Sequence, residues 1–111
     1  MKKRIRNYSL KTNASVLLMG KVIKMHRKLK KMPEAELAER VGVSRSTIQR
    51  IESGDHKCEI GLVFEAAYIV GVDLFSDDSN IMSLYQKSIN DSLMLLPKRI
   101  RKQRVKVEND F

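Results

Sequence analysis

The chain has 111 residues and a formal net charge of +9, and apolar residues make up 42% of it. This apolar content argues against global disorder and predicts one small folded domain with short extensions. With no Trp and only 5% aromatic residues, the core must be aliphatic. The single cysteine, Cys58, excludes an internal disulfide and favours a cytoplasmic protein, and no apolar stretch is long enough to span a bilayer.

The charges are sorted along the chain. Residues 1–31 carry eleven Lys and Arg and no acid, whereas residues 51–95 carry two basic and eight acidic residues. Residues 96–111 are basic again, with six Lys and Arg against two acids. Two basic ends around an acidic middle predict a polyanionic partner.

The N-terminal third is predicted to form an arm followed by a helix. Residues 1–12 form the basic arm, with a short strand over Ile5–Leu10. Asn13 is a suitable N-cap for the first helix, in which apolar residues recur at helical spacing: Met19, Val22, Ile23 and Met25. The lysines of this helix and Arg27 are expected on its outer side.

Three further helices are predicted in the middle of the chain. The second begins near Pro33, whose missing N–H costs nothing in a first turn, and it ends at Gly42. Ser44 caps the third, which ends near Ser53. The fourth covers residues 59–70 and is apolar on all sides, which predicts an element packed on either side of it. Residues 72–75 are expected to add one short helical turn.

The C-terminal third begins after a polar break at residues 77–80. Ile81–Leu96 is predicted to be an amphipathic helix that Pro97 ends. A basic tail follows, in which residues 105–107 alternate as in an edge strand. The predicted fold is therefore all-α: five short helices, an extra C-terminal helix and a basic tail.

Residues 34–54 read EAELAERVGVSRSTIQRIESG and carry the functional pattern. Gly42 permits the positive φ that a tight turn between two short helices can need, and Ile48 and Ile51 are predicted to face inwards. The outward positions combine short hydrogen-bonding and long cationic side chains without an acid: Ser44, Arg45, Ser46, Gln49 and Arg50. Such side chains in the first turns of a helix suit contacts with base edges and phosphates in a major groove.

Here the chain resembles the XRE/Cro-like family of phage repressors. The resemblance rests on residues in the second and third helices together with Gly20, Ile23 and Arg27 of the first, and it covers roughly residues 16–75. The residues of the second and third helices are Leu37, Ala38, Gly42, Ser44, Ile48, Ile51 and Gly54. The resemblance implies a five-helix, phage-repressor-like helix-turn-helix domain over residues 13–78, followed by a helix over 79–96 and a tail over 97–111.

The resemblance also implies roles for the outward side chains. Arg45 and Ser46 touch bases or phosphates, and Gln49 and Arg50 lie along the groove. Thr47 lies at its edge, and Lys57, in the following loop, meets phosphate. The chain departs from the family where a Gln usually contacts the backbone phosphate, because Glu34 follows Pro33 there. A carboxylate repels phosphate, so we expect Glu34 to pair with Arg45 and orient it.

The C-terminal helix and tail resemble the HipB-like branch of the family. Its members are antitoxins that repress their own operon and bind a HipA-type kinase. By this resemblance Phe111, at the end of the chain, is a kinase-docking residue. A homodimer on palindromic operator DNA is also expected, since one recognition helix makes few base contacts. The predicted dimer or partner surface comprises Leu62, Ala66, Ile69, Ile81 and Tyr85.

Other functions are weighed against this one. His26 and His56 stand alone, so neither a metal nor a cofactor is expected, and no enzyme motif is found. One alternative is a stand-alone XRE-family transcriptional regulator without a toxin. The other is a protein-interaction module whose basic surface meets an acidic partner or lipid.

Overall fold

The computed structural model of the chain describes residues 6–100 and 102, and regular secondary structure in this part is entirely helical. The helices are α1 (Leu10–Leu29), α2 (Glu34–Val41), α3 (Arg45–Glu52), α4 (Ile60–Ile69) and α5 (Ser79–Leu95). The predicted all-α fold class is therefore confirmed. The chain divides into two compact units, the first ending at Phe75 and the second beginning at Ser76. The edge strand predicted at residues 105–107 lies outside the described residues.

The first helix begins earlier than the sequence indicated. Ser9, not Asn13, is the N-cap of α1, and its hydroxyl accepts a hydrogen bond from the backbone N–H of Thr12 at 3.2 Å. Residues 6–9 form no strand, and Leu10 already lies in the helix, so the predicted strand is wrong over these residues. A serine hydroxyl satisfies an N-terminal amide of the helix as well as an asparagine does, and both residues are good caps.

The core of the first unit is aliphatic, as expected. Its buried apolar residues come from α1, α2, α3, α4 and the adjoining turns: Ile23, Met32, Leu37, Ala38, Ile48, Ile51, Ala66, Ala67 and Val70. The predicted inward positions of α3, Ile48 and Ile51, are both buried. Helix α3 packs against α1 and α2, and these two helices cover the side of α3 opposite its exposed face.

Helices α1 and α3 cross very closely at Gly20. A Cβ atom added to Gly20 would lie 2.5 Å from the carbonyl oxygen of Ile51 and 2.6 Å from that of Glu52. Both neighbours are backbone atoms, so they have no side-chain freedom with which to move aside. Gly20 therefore sets the distance between α1 and α3.

Replacing Gly20 by Ala is expected to lower the free energy of unfolding by about 1–3 kcal/mol, because the added methyl group pushes α1 away from α3. Urea denaturation followed by circular dichroism measures the change. Gly61→Ala on α4 is the matched control, since nothing lies within 4 Å of the added Cβ there. Gly61 is the second residue of α4, so alanine there should change the free energy of unfolding by less than about 1 kcal/mol and should not lower it. Equal effects of the two substitutions would contradict the close crossing.

The short helical turn predicted at residues 72–75 is not formed. Gly71 ends α4 in the left-handed region, with φ of 93°, and bends follow it. Val72 and Leu74 are half-buried against the core, whereas Asp73 and Phe75 are exposed. This alternation suits an extended path, because a helix would not place residues two apart on the same face.

Helix α5 forms the regular part of the second unit, close to the predicted limits. The Asp78 carboxylate caps it by accepting a hydrogen bond from the backbone N–H of Asn80 at 2.9 Å. The helix ends at Leu95, two residues before Pro97, and none of its residues is buried. A 17-residue amphipathic helix thus leaves its apolar side chains exposed.

Candidate nucleic-acid interface

The turn between α2 and α3 has the geometry that its sequence indicated. Gly42 ends α2 in the left-handed region, with φ of 89°. The N–H groups of Gly42 and Val43 both donate to the carbonyl oxygen of Ala38, at 2.8 and 3.0 Å. Ser44 caps α3, and its hydroxyl accepts from the backbone N–H of Thr47 at 3.2 Å. These local bonds fix the direction in which α3 begins.

The predicted DNA-contacting residues lie along the outer side of α3 and the loop that follows. Thr47 is half-buried. The others are exposed: Ser44, Arg45, Ser46, Gln49, Arg50 and Lys57. The acidic residue of α3, Glu52, is buried on the opposite side. The exposed side of α3 therefore carries hydrogen-bonding and cationic groups without a carboxylate of its own.

Glu34, the first residue of α2, holds two of these side chains. Its Oε1 accepts from Arg45 Nε at 3.3 Å and from Gln49 Nε2 at 3.2 Å. The pair predicted between Glu34 and Arg45 is thus present. The hydrogen bond from Gln49, helped by that from Arg45, lowers the pKa of Glu34 below its ordinary value despite partial desolvation. The carboxylate is charged at neutral pH and links α2 to α3.

A buried ion pair lies behind this contact, and sequence reasoning missed it. Arg27 was expected on the outer side of α1, but it is only 6% exposed. Its Nε and Nη2 donate to the two carboxylate oxygens of Glu52 at 2.6 and 3.0 Å, and its Nη1 donates to the carbonyl oxygen of Met32 at 2.8 Å. This pairing raises the pKa of Arg27. The signal was the spacing of Arg27 four residues after Ile23, on the buried side of α1.

The guanidinium of Arg27 also lies close to the carboxylate of Glu34. Arg27 Nη2 lies 4.0 Å from Glu34 Oε2. Charges of alternating sign therefore run from the core to the exposed surface, in the order Glu52, Arg27, Glu34 and Arg45. Arg45 is held by a carboxylate that is itself held from inside the domain.

A second ion pair fixes the far end of α3, and the sequence did not predict it. Arg50 Nε donates to Asp55 Oδ2 at 2.8 Å, and Asp55 Oδ1 accepts from the backbone N–H of Lys57 at the same distance. The hydrogen bond from Arg50, followed by that from the Lys57 amide, lowers the pKa of Asp55. The pKa of Arg50 is raised by the same bond. Both groups are charged at neutral pH.

Residues 23–63 match a helix-turn-helix family model. The matched segment runs from the middle of α1 into α4. The match supports DNA binding and a role in transcription regulation, and it does not extend to α5 or the tail. A search of curated proteins found no match. None of the helices in residues 6–100 has the length and apolar character needed to cross a membrane.

The residues predicted for a dimer or partner surface do not all lie on the surface of the helix-turn-helix unit. Ala66 is fully buried in the core, so a partner would not reach it, and this part of the prediction is corrected. Leu62 and Ile69 are half-buried. In the second unit, Ile81 and Tyr85 are 54% and 53% exposed. Phe111 lies outside the described residues.

The two histidines have ordinary structural surroundings. His26 is half-buried on α1. The ring of His56 lies 4.7 Å from that of Tyr8, centroid to centroid, so it contacts the segment that precedes α1. Within residues 6–100 and 102, no three His, Cys, Asp or Glu side chains are grouped so as to hold a metal ion.

Proposed function

We propose that this chain is a sequence-specific transcriptional repressor that reads operator DNA with α3. The observation that carries the proposal is the acid-free outer side of α3, on which a single Glu34 oxygen holds both Arg45 and Gln49. Such fixed, long polar side chains in the first half of a recognition helix are suited to base readout, since less side-chain freedom is lost on binding.

Each side chain has a contact that its chemistry favours. Arg45 pairs with Glu34 through Nε, so this contact does not use its two terminal nitrogens, and these suit O6 and N7 of a guanine. Gln49 suits the N6 and N7 edge of an adenine. Ser44, Ser46 and Thr47 suit phosphate oxygens near the start of α3, and Lys57 suits the phosphate beyond its end.

We further propose that the repressor acts as a homodimer through α5. The apolar side chains of α5 are exposed and recur at helical spacing, among them Ile81, Leu84, Tyr85 and Ile89. A second copy of the same stripe would bury them symmetrically. Two recognition helices then read half-sites about one turn of DNA apart. Sedimentation equilibrium should give twice the chain mass, and Tyr85→Glu should shift the protein to monomer.

The finer proposal is a HipB-like antitoxin that represses its own operon and binds a HipA-like kinase. It is supported by the resemblance of the C-terminal third to that branch. Removal of residues 109–111 should then weaken kinase binding while leaving DNA binding unchanged. Unchanged kinase binding would remove the docking role of Phe111. Absence of any kinase gene beside this one would favour a stand-alone regulator.

The decisive test is binding to the DNA immediately upstream of the chain's own gene. At physiological salt we expect that DNA to bind roughly 10³-fold or more tightly than a scrambled duplex. Equal, weak and salt-sensitive binding to both duplexes would overturn the proposal. It would then favour the module whose basic surface binds an acidic protein or a lipid.

A further inference from the structure

Two donors, one from α3 and one from the loop between α3 and α4, are arranged around one carboxylate of that loop. Arg50 Nε and the backbone N–H of Lys57 both donate to the Asp55 carboxylate, one to each oxygen, at 2.8 Å. The backbone N–H of Asp55 itself donates to the carbonyl oxygen of Arg50 at 3.0 Å, which closes the loop back onto the end of α3. The two donors therefore face the same small anionic group.

Donors of these two kinds are the ones that proteins use for the DNA backbone. Guanidinium groups and backbone amides supply many contacts with phosphate oxygens, and such phosphate contacts carry no sequence information. A carboxylate presents two oxygens to them much as a phosphate does. The two groups that donate to Asp55 are therefore of the kinds that proteins use to bind phosphate.

Asp55 differs from the other carboxylate beside α3. The Glu34 side chain is 22% exposed and lies 4.0 Å from the buried Arg27, so the core holds it in place. The Asp55 side chain is 30% exposed, and its partner Arg50 is 48% exposed. An exposed ion pair contributes little to stability, so exchange of its carboxylate for another anion costs little.

We propose that Arg50 and the Lys57 amide form a phosphate-binding site that Asp55 occupies in the free protein. A DNA phosphate has to displace Asp55 to reach these donors, and the released carboxylate then repels the backbone. Asp55 thereby lowers the affinity of the domain for any DNA backbone. The inference rests on the proposed DNA-binding function. It adds that Asp55 weakens the binding of DNA.

The test is the binding of random-sequence duplex DNA by Asp55→Asn over a range of salt concentrations. This change keeps the shape and removes the charge. We expect roughly three- to tenfold tighter binding at physiological salt, and a log–log salt dependence steeper by about 0.9, equivalent to one more phosphate contact. Unchanged or weaker binding, with an unchanged slope, would show that Asp55 only supports the loop.

A matched control distinguishes an effect of the Asp55 site from an effect of the protein's net charge. Asp91→Asn removes the same charge from an exposed ion pair, with Lys87 at 3.0 Å on α5. We expect this variant to bind random DNA with the wild-type slope. Equal gains for the two variants would overturn the proposal, because net charge alone would then explain both.

Inorganic phosphate provides a second readout that does not depend on DNA. Asp55→Ala vacates the site, so titration with phosphate should shift the amide resonance of Lys57 and the Nε resonance of Arg50. In the wild-type protein Asp55 already accepts from both donors, so the same titration should shift these two resonances less, and equal shifts in the two proteins would overturn the proposal. No shift in either protein would overturn the proposal, provided that the remaining amide spectrum of the variant is that of a folded domain.

Failure of the inference and failure of the proposed function are distinguishable. A wild-type protein that binds neither its upstream DNA nor random DNA removes the function. A wild-type protein that binds both, with Asp55→Asn no tighter than wild type on random DNA, removes the inference alone.

Discussion

Replacing Glu52 by Ala is expected to lower the free energy of unfolding by about 3–5 kcal/mol. Arg27 and Glu52 are each only 6% exposed, and they share two hydrogen bonds, of 2.6 and 3.0 Å. Removal of the carboxylate leaves the guanidinium buried, with the Met32 carbonyl oxygen and Glu34 at 4.0 Å as its remaining partners. Urea denaturation of the variant measures the loss.

Two controls test whether the loss of stability comes from leaving a buried charge without its partner. Glu36→Ala breaks an exposed pair with Arg40 at 2.7 Å on α2, and it should cost less than about 1 kcal/mol. The double substitution Arg27→Met with Glu52→Leu should recover most of the lost stability, since no charge is then left buried without a partner. A loss below about 1 kcal/mol for Glu52→Ala would mean that water reaches Arg27 and that the pair is not buried in solution.

Local signals explain which parts of the fold could be predicted from the sequence. The limits of α2, α3 and α4 depend on residues next to them in the chain. Gly42 takes a positive φ and Ser44 caps the following amide, so both act within a few residues. The start of α1 was misplaced because Ser9 and Asn13 are both competent caps, and only the structure distinguishes them.

Contacts between distant residues were harder to predict. Arg27 and Glu52 are 25 positions apart, and nothing in the composition of either helix indicates their pairing. Ala66 was assigned to a partner surface because α4 is apolar on all sides, and hydrophobic periodicity then cannot distinguish the buried side. The core of its own unit covers Ala66 completely.

In the candidate site, too, local features could be predicted and contacts that depend on the folded chain could not. The exposed set on α3 followed from helical spacing, and the pair between Glu34 and Arg45 followed from the repulsion between a carboxylate and DNA phosphate. The pairing of Arg50 with Asp55 depends on how the loop after α3 folds back. Helical periodicity does not extend into that loop, so the sequence did not indicate the pairing.

Arg45→Ala is expected to weaken binding to the operator by about 1–3 kcal/mol, or roughly 5- to 150-fold, if Arg45 makes a bidentate contact with a guanine. Its effect on random-sequence DNA should be much smaller, so the specificity ratio falls. A fluorescence-anisotropy titration with both duplexes at the same salt concentration measures the two affinities. Stability should change little, because the pair with Glu34 is largely exposed on the Arg45 side.

Two further variants serve as comparisons for Arg45→Ala. Glu34→Gln keeps an acceptor oxygen for Arg45 and Gln49 but loses the charge, so it should reduce specificity less than Arg45→Ala does. Arg40→Ala removes an exposed arginine that is likewise paired with a carboxylate, and it should leave the specificity ratio unchanged. If Arg45→Ala weakened both duplexes equally and lowered the salt slope by about 0.9, Arg45 would contact phosphate only. Gln49 would then remain as the base-reading residue, and Glu34 would orient Arg45 towards the DNA backbone.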